Sequence, residues 1–388
     1  MNDSIKILHA ADFHLDARPP SFLSPEQAAC RREERLEVFA EVMRMAPERD
    51  AELVLIAGDL FEDAHVRRQT VRRAAETFER LAPARVLIAP GNHDPITPAG
   101  FYRAYTWPKN VHVFPPGWSQ WRSPDGRCVV SGFGWDRAEI TEPMLAQCPA
   151  APEGCVHLVL IHGDVLPAGG ASAYLPIRTA DLQACPAHYI ALGHVHRAEP
   201  QQAGPVAQNW MNPGAPEPLD FGEAERIRGV VCGSVGTELR ELELVPRKAR
   251  REYVLRTIEV DGLDGEPAVA ERVRNRLPQD QRERDFVRLT LTGRLPPGVK
   301  LSMTELRGLL AEEFFFLELE DATWAAYDLD AIAREQGLRG ELLRAMRERI
   351  QQAASEADRQ DLPRALELGL DALEGRDPNA GVQEEQEY

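Results

Sequence analysis

Five short segments of this 388-residue chain each place a side chain of a type that binds metal ions at the end of an apolar run. Apolar runs of this length are typical of strands that are buried on both faces of a sheet. Because open α/β sheets place their ligands beyond the carboxyl ends of the strands, we expect the five segments to converge there. They are residues 11–14, 57–59, 90–94, 161–164 and 192–196.

The first half of the chain alternates such strands with helical patterns. Strands are predicted at 5–10, 53–57 and 85–89, with helical spacing of the apolar residues between them. This βαβαβ order is typical of a right-handed α/β unit. From about residue 111 the predicted strands follow one another more closely, which indicates a second sheet packed on the first. We therefore predict an α/β fold, a four-layer α/β/β/α sandwich, over residues 1–245.

Two further regions are predicted after a basic break at residues 246–251. Alternating strands and a helix that begins at Ser302 predict a small α+β domain over residues 252–325. Apolar stripes with a spacing of four residues predict C-terminal helices over residues 328–375. The glutamate-rich end, residues 376–388, is predicted to be disordered.

Composition and charge indicate which class of protein this is and in which compartment it is expected. Its 43% hydrophobic and 28% charged residues are ordinary for a soluble globular protein, and no apolar stretch is long enough to span a bilayer. Six scattered cysteines and an N-terminus without a signal-peptide pattern predict a cytoplasmic protein. A net charge of −17 argues against a simple nucleic-acid binder, although basic patches and bound metal ions act locally.

The candidate ligands form a mixed set of carboxylate, amide and imidazole groups. Asp12 and His14 are two residues apart, so on an extended segment both point to one side, and His194 and His196 share this spacing. Mixed sets suit Mn²⁺, Fe or Zn²⁺ better than Ca²⁺ or Mg²⁺. Seven ligands are too many for one tetrahedral ion, so we predict two ions about 3.5–4 Å apart that share a carboxylate. The seven are Asp12, His14, Asp59, Asn92, His162, His194 and His196.

These blocks resemble the calcineurin-like metallophosphoesterase superfamily, whose motifs are D-x-H, G-D, G-N-H-D/E, H and G-H-x-H. All five occur in order over roughly residues 1–240. The resemblance implies a bridging role for Asp59 between two metal ions. It implies that the first ion is held by Asp12, His14 and His196, and the second by Asn92, His162 and His194.

The same resemblance assigns catalysis to the histidine of the G-N-H-D block. It implies that His93 faces the substrate phosphate as general acid or transition-state stabiliser, and that Asp94 orients His93. The implied reaction is hydrolysis of a phosphate ester with the help of both ions.

Within the superfamily the chain is most similar to the SbcD-like DNA repair exonucleases, in particular the YhaO type. The residues that indicate this are 10–16 and 58–61, together with the second domain, which resembles the DNA-capping domain of those nucleases. The resemblance implies a Mn²⁺-dependent DNA exonuclease, with endonuclease activity as an additional option, that works in DNA repair. It also implies an SbcC-like SMC-type ATPase partner that docks on residues 340–375, and it leaves a homodimer open. The candidate DNA contacts, placed just after the Asp59 loop, are Arg67, Arg68, Arg72 and Arg73.

One position departs from the pattern, and two other functions stay open. Relatives often carry a histidine three residues after the G-D aspartate, where this chain has Glu62, and His65 lies three residues further on.

The alternative functions are a small-molecule phosphodiesterase or phosphatase on the same fold, and a non-catalytic scaffold subunit with a vestigial site. The apolar stripes of the C-terminal helices are predicted to form either the core of their own domain or an interface with a partner. Histidines outside the motifs are predicted to be core residues, namely His9, His112, His157 and His188.

Overall fold

The computed structural model describes residues 4–375 except 168, 297 and 354. The tail predicted to be disordered, residues 376–388, lies outside the described residues. The chain divides into two compact units, Met1–Tyr253 and Val254–Tyr388.

The first unit is built mainly from strands, with helices between the early ones. Its helices are α1 (Pro25–Glu48), α2 (Arg68–Glu79), α3 (Phe101–Ala104) and α4 (Thr179–Ala184). Its strands are β1 (Ile5–Ala10), β2 (Leu53–Ala57), β3 (Arg85–Ala89), β4 (Val111–Val113), β5 (Gly117–Arg122), β6 (Cys128–Gly134), β7 (Val156–His162), β8 (Asp164–Leu166), β9 (Pro176–Arg178), β10 (Tyr189–Gly193), β11 (Gly204–Pro205), β12 (Trp210–Met211), β13 (Gly229–Val235) and β14 (Arg240–Pro246).

Two large sheets carry this unit. The first has the order β11-β14-β13-β1-β2-β3-β4, and the second has the order β12-β10-β7-β6-β5. Strands β1 to β4 run parallel to one another, as do β6, β7, β10 and β12. Strand β13 pairs with β1 in the antiparallel sense. The parallel runs place the ends of β1, β2, β3, β7 and β10 where the five predicted ligand segments begin.

Successive residues of the strands enter different apolar layers. Ile7 lies in the core between the two sheets, whereas Leu8 faces the α1 side and packs in the same cluster as Phe39. In the second sheet Leu160 faces the inner core, and Ile161 belongs to an outer cluster. This alternation follows from the two-residue period of a strand. Three apolar layers around two sheets confirm the predicted α/β fold.

The basic segment that follows β14 docks on α1 within the first unit. Arg251 pairs with Glu34 at 2.8 Å, Arg247 pairs with Glu41 at 2.9 Å, and Arg250 pairs with Glu37. The arginines that the sequence places at a break between domains are therefore neutralised by the acidic face of one helix.

The second unit has its own sheet and its own core. The sheet has the order β15-β16-β17, and its buried apolar residues pack against helices in a single cluster. Its strands are β15 (Tyr253–Glu259), β16 (Phe286–Leu295) and β17 (Phe316–Ala325). Its helices are α5 (Glu266–Arg276), α6 (Gln279–Arg284), α7 (Met303–Leu310), α8 (Leu329–Ala333), α9 (Leu338–Gln351) and α10 (Glu356–Leu373).

The predicted C-terminal stripes pack against one another. Leu366 and Leu370 of α10 are buried with Leu343 of α9, and Met346 and Ile350 pack against that cluster. The stripes therefore form the core of a small helical group. None of the helices among the described residues is long and apolar enough to cross a membrane.

We predict that Glu217→Ala destabilises the protein by about 3 kcal/mol, because it removes one of the two carboxylates that pair with the buried Arg31 guanidinium and also the acceptor of the Arg250 N–H. Arg31 Nη2 lies 3.0 Å from Glu217 Oε2, and both side chains are almost fully buried. Urea unfolding of the full chain measures the effect. The control is Glu48→Ala, which removes the carboxylate of an exposed pair with Arg44 and should cost under about 1 kcal/mol. Equal costs for the two variants would contradict the prediction.

Candidate metal centre

The first two ligand segments are joined by backbone hydrogen bonds. The Asp12 N–H donates to the Gly58 carbonyl at 3.1 Å, and the His14 N–H donates to the Asp59 carbonyl at 2.9 Å. The fifth segment is fixed to the first, since the His194 N–H donates to the Asp12 carboxylate at 3.1 Å. These bonds place the ends of β1, β2 and β10 side by side.

Four of the seven predicted ligands have a left-handed backbone conformation. The φ values are 55° for Asp12, 45° for His14, 49° for Asp59 and 107° for His194. Residues other than glycine rarely adopt positive φ, and such strained residues cluster at functional sites. The strain marks the ends of the strands as the functional edge of the fold.

Glycines precede ligands in the motifs because other groups come very close to them. A Cβ atom on Gly58, which itself has a φ of 84°, would overlap the ring of His162. A Cβ atom on Gly193 would overlap the carbonyl of Ala57. The G-D and G-H-x-H motifs thus reflect tight packing between neighbouring ligand loops.

The predicted ligands gather into two adjoining sets. The ligand atoms of Asp12, His14 and His196 all lie within 4.8 Å of one another, and those of Asp59, His162 and His194 form a second such group. The predicted seventh ligand, Asn92, joins the second group, because its Oδ1 lies 2.9 Å from His162 Nε2.

Asp59 lies between the two sets. Its Oδ2 is 3.2 Å from His162 Nε2 and 3.6 Å from His14 Nε2, and its Oδ1 accepts the His93 N–H at 2.9 Å. Asp59 is also almost fully buried. A carboxylate in this position contacts members of both ligand sets, which is the arrangement that a bridging ligand requires.

Burial and mutual attraction shift the pKa values of these groups in opposite directions. Burial raises the pKa of Asp12 to about 7, although His162 opposes the shift. Burial also opposes ionisation of Asp59, but the attraction of His162 and His14 outweighs it and lowers the pKa of Asp59. Burial lowers the pKa of His194 to about 3. Because these carboxylates are buried away from water, a positive charge close to them stabilises their ionised form.

The tautomers of the histidines show that the residues fit metal ions. His162 Nδ1 lies 2.9 Å from the Ala57 carbonyl, which can only accept, so Nδ1 carries a hydrogen, and in the neutral ring Nε2 presents a lone pair to the Asn92 and Asp59 oxygens. Such a cluster of electron pairs requires a proton or a cation. The attraction of the Asp59 carboxylate outweighs the opposing effect of burial and raises the pKa of His162 to about 9.

The first set shows the same arrangement. His196 Nδ1 lies 2.6 Å from the Glu223 carboxylate, and His14 Nδ1 lies 3.4 Å from that of Glu62. The two Nε2 atoms then face each other at 3.0 Å. Imidazoles that ligate metals usually donate their other N–H to a carboxylate or a carbonyl in this way.

The carboxylate that contacts His93 is Glu62 and not Asp94. His93 Nδ1 lies 3.0 and 3.1 Å from the two Glu62 oxygens. The fully buried Asp94 accepts the backbone N–H groups of Leu60 and Gly91 and the hydroxyl of Tyr102. The expectation that Asp94 orients the His93 ring therefore does not match its contacts, because Asp94 fixes the loop backbone instead.

The four candidate arginines differ in how free they are. Arg67 binds Asp16 at 2.6 Å, and Arg73 binds Glu33 at 2.6 Å. Within the described ranges Arg72 makes only an exposed helical pair with Glu76, and Arg68 and Arg72 both line a cavity of about 710 Å³. Arg68 and Arg72 are thus the two that remain available to a ligand.

The histidines outside the motifs have structural contacts. His9 binds the Tyr189 hydroxyl and the Leu192 carbonyl, and His157 binds the Ser131 hydroxyl. His188 accepts the backbone N–H of His157, and His112 packs edge-on against Phe114. His65 is exposed and is not among the groups of close ligand atoms in the described part of the chain.

Two residues near the centre were missed by sequence reasoning. Glu223 lies 27 residues after His196 in a short 3-10 turn, Phe221–Glu223, that no motif marks. Tyr174 packs its ring 5.1 Å from that of His194 and remains 40% exposed. Neither residue carries a local signal, since each reaches the centre by tertiary folding.

An α/β fold that gathers two mixed ligand sets around a shared carboxylate is typical of dinuclear metallohydrolases. The chain belongs to the calcineurin-like phosphoesterase family, whose model matches residues 5–198. It is therefore a metallophosphoesterase, and the clusters of ligand atoms indicate divalent metal ions.

Three relatives illustrate the range of the family. YhaO of Bacillus subtilis (strain 168), described as an uncharacterized metallophosphoesterase, is 30% identical over 210 residues, which is 51% of this chain and 50% of that protein. The DNA double-strand break repair protein Mre11 of Methanopyrus kandleri is 25% identical over 250 residues, 58% of this chain and 51% of that protein. The Mre11 of Aeropyrum pernix is 37% identical over 91 residues, 23% of this chain and 21% of that protein. The chain thus spans about half the length of YhaO and of the Methanopyrus protein.

We predict that Asp59→Asn lowers the occupancy of both metal ions, because the shared oxygen loses its charge. Elemental analysis of protein equilibrated with excess Mn²⁺ gives the number of ions per chain. Asp125→Asn, an exposed carboxylate that pairs with Arg127, is the control and should bind as the unaltered protein does. A single ion per chain in the unaltered protein would count against a shared ligand.

Proposed function

We propose that the chain is a two-metal-dependent phosphodiesterase that acts as a DNA nuclease in DNA repair. An exonuclease is the first choice, and endonuclease activity is an additional option. The observation that carries the proposal is the pair of ligand sets that adjoin at Asp59, which contacts His162 of one set and His14 of the other and lies next to His93. The Mre11 relatives, described as DNA double-strand break repair proteins, support DNA as the substrate.

In this proposal each ligand set holds one divalent ion. Bound ions of this kind act as Lewis acids on the phosphoryl oxygens and make water a nucleophile near neutral pH. The mixed nitrogen and oxygen donors suit Mn²⁺, Fe or Zn²⁺, and Mn²⁺ is the proposed ion because the resemblance to SbcD-like nucleases implies it. Asp12, His14 and His196 hold the first ion, Asn92, His162 and His194 hold the second, and Asp59 contributes to both.

His93 supplies the proton to the leaving oxygen. Its side chain is 44% exposed, so substrate can reach it. The hydrogen bond to Glu62 occupies Nδ1 and raises the pKa of His93, which keeps the ring protonated closer to neutral pH. The atom that remains for donation is Nε2. General acids work best when their pKa lies near the operating pH.

The open setting of the centre favours a large substrate. His93 and Tyr174 both expose substantial ring area beside the ligand sets, and an exposed tyrosine offers a face on which a base can stack. The opposing observation is that Arg67 and Arg73 are already paired with carboxylates. That observation favours the alternative, a small-molecule phosphodiesterase or phosphatase.

The partner and the setting also belong to the proposal. An SbcC-like ATPase is proposed to dock on the C-terminal helices, where Leu338, Leu368 and Leu373 are exposed. The six cysteines are free, which suits a reducing, cytoplasmic setting.

The deciding assay compares cleavage of end-labelled double-stranded DNA with hydrolysis of bis-p-nitrophenyl phosphate, both with Mn²⁺. Hydrolysis of the small ester without cleavage of DNA would favour the alternative, and no hydrolysis of either would favour a scaffold.

We predict that His93→Ala slows DNA cleavage by roughly 10²–10⁴-fold, the usual contribution of a general acid–base group. Both ions should remain bound, because His93 groups only with His14 and Glu62 and lies outside the sets of Asp12, His14 and His196 and of Asp59, His162 and His194. Single-turnover rates and elemental analysis measure the two effects. Loss of metal from the variant would show that His93 is a ligand.

We predict that Arg68→Glu with Arg72→Glu weakens DNA cleavage and leaves hydrolysis of the small ester nearly unchanged. Each lost phosphate contact should also lower the salt dependence of DNA binding by about one unit of slope. Arg44→Glu is the matched control, since Arg44 and Arg72 both form exposed pairs with a glutamate four residues on. Equal losses on both substrates would assign the arginines a structural role.

A further inference from the structure

Two of the six cysteines lie next to each other at the outer apolar cluster that contains Ile161. Cys148 ends a 3-10 turn, Leu145–Gln147, and Cys185 ends α4. The turn packs against α4, and both thiols pack against the same cluster. The two side chains form a hydrogen bond with each other, and both residues are half-buried, so small solutes can reach them.

The fold holds both cysteines in place. The Cys148 N–H donates to the Leu145 carbonyl at 3.0 Å, and the Cys185 N–H donates to the Asp181 carbonyl at 3.0 Å. Each backbone is therefore fixed by its own helical turn. The contact between the two sulfurs follows from the packing of the turn against α4.

Cys185 is the thiol that is prepared to react. The hydrogen bond from the Cys148 thiol and a second one from the Ala187 N–H lower the pKa of Cys185 to about 7, against the effect of burial. The thiolate is the form that attacks oxidants. The same bond raises the pKa of Cys148, which keeps its proton. A low-pKa, accessible cysteine with a second thiol beside it is typical of redox-sensing sites.

Cys128 and Cys155 are also near each other but differ in their chemistry. Val156, the residue after Cys155, is the strand partner of Cys128. The Cys155 thiol donates to the Gly126 carbonyl at 3.2 Å, and burial raises the pKa of Cys128 to about 12. We therefore expect both to remain thiols under mild oxidation, and they provide an internal comparison.

The pair of Cys148 and Cys185 lies at one end of a circuit of chain. At the other end, Ile140 and Tyr174 form a β-bridge. Residues 141–147 connect Ile140 to Cys148, and β9 followed by α4 connects Tyr174 to Cys185. A covalent bond between the two sulfurs would close the circuit and restrict the segments within it.

The circuit reaches the candidate metal centre through Tyr174. Its ring lies 5.1 Å from that of His194, one of the predicted ligands. The segment around Tyr174 is tied to Ile140 on both sides, since the Ile140 N–H donates to the Ala173 carbonyl at 2.8 Å and the Leu175 N–H donates to the Ile140 carbonyl at 2.6 Å. Restriction of the circuit therefore acts on the rim of the centre.

We propose that Cys148 and Cys185 are a reversible oxidation site, and that their disulfide restricts the Tyr174 segment, residues 173–175, beside the metal centre. The oxidant is a hydroperoxide and the reductant is a dithiol. Disulfides in reducing compartments are usually transient and redox-sensing, which suits this pair. The inference depends neither on the substrate of the proposed nuclease nor on bound metal ions.

The chemistry is a two-electron oxidation of the pair, here written with hydrogen peroxide. The Cys185 thiolate attacks one oxygen, the O–O bond breaks, and a sulfenic acid forms at Cys185 while hydroxide leaves. The Cys148 sulfur then attacks the Cys185 sulfur, the S–O bond breaks, and a second hydroxide leaves as the S–S bond forms. The protons of the two thiols convert both hydroxides to water. A dithiol reverses the process by exchange and becomes a disulfide itself.

Peptide mapping of the full chain tests the proposal. The reduced protein is treated with hydrogen peroxide, its remaining thiols are alkylated, and it is digested without reduction for mass spectrometry. We expect a peptide pair linked through Cys148 and Cys185, which dithiothreitol separates. Cys155→Ser is the matched control, since Cys155 is also half-buried, and it should leave this link unchanged.

Two serine variants identify the order of the steps. Cys148→Ser keeps a hydroxyl donor for Cys185 and removes the second sulfur, so the sulfenic acid at Cys185 should persist and be trapped by dimedone. In Cys185→Ser the remaining Cys148 thiol should react roughly 10-fold more slowly, because it lacks a lowered pKa. Equal reactivity of the two single cysteines would overturn the role of Cys185.

Hydrogen exchange tests the effect on the rim of the metal centre. Oxidation of the unaltered protein should slow the exchange of the amides of residues 173–178 several-fold, and the same treatment of Cys148→Ser should not. Absence of the link, a link between Cys128 and Cys155 in its place, or irreversible oxidation of Cys185 would overturn the oxidation site. A link that leaves the exchange of residues 173–178 unchanged would overturn its effect on the Tyr174 segment.

Discussion

The burial of two carboxylates at the ends of the central strands governs the rest of the structure. Asp12 and Asp59 are each about 1% exposed, and a charge so far from water must be neutralised nearby. Histidines from three other loops surround them, and the loops can come so close only because Gly58 and Gly193 lack side chains. The parallel strands of the two sheets end at one edge of the fold, and this places all five loops there.

The local part of this arrangement could be predicted from sequence. Each inner ligand follows a buried apolar run at short range, so the segments and their convergence were visible without coordinates. The contacts of Glu62, Asp94 and Glu223 were not, because they join residues that are far apart in sequence. Asp94 is the clearest case: its position next to His93 suggested a contact with that ring, yet its oxygens bond to the loop at Leu60 and to Tyr102.

The same distinction holds for the strands. β5 was not predicted, because its residues are half-buried and lack a clean alternation, and its place in the sheet comes from antiparallel pairing with β6. In the second unit β17 extends from Phe316 to Ala325. Its later half includes the polar residues Glu320, Asp321 and Thr323, and Glu320 accepts a hydrogen bond from Thr290 on the neighbouring strand, so parallel pairing and not propensity extends it.

The left-handed backbone at Asp12, His14, Asp59 and His194 has a consequence for engineering. Each such residue costs on the order of 1–3 kcal/mol that the apolar layers must offset. Substitution by glycine would relieve the strain and remove the ligand at the same step. Selection for heat resistance alone would therefore favour glycine at any of these positions where the relieved strain exceeds the lost side-chain contacts, at the loss of a candidate ligand. A library aimed at robustness should keep them fixed and vary the helices instead.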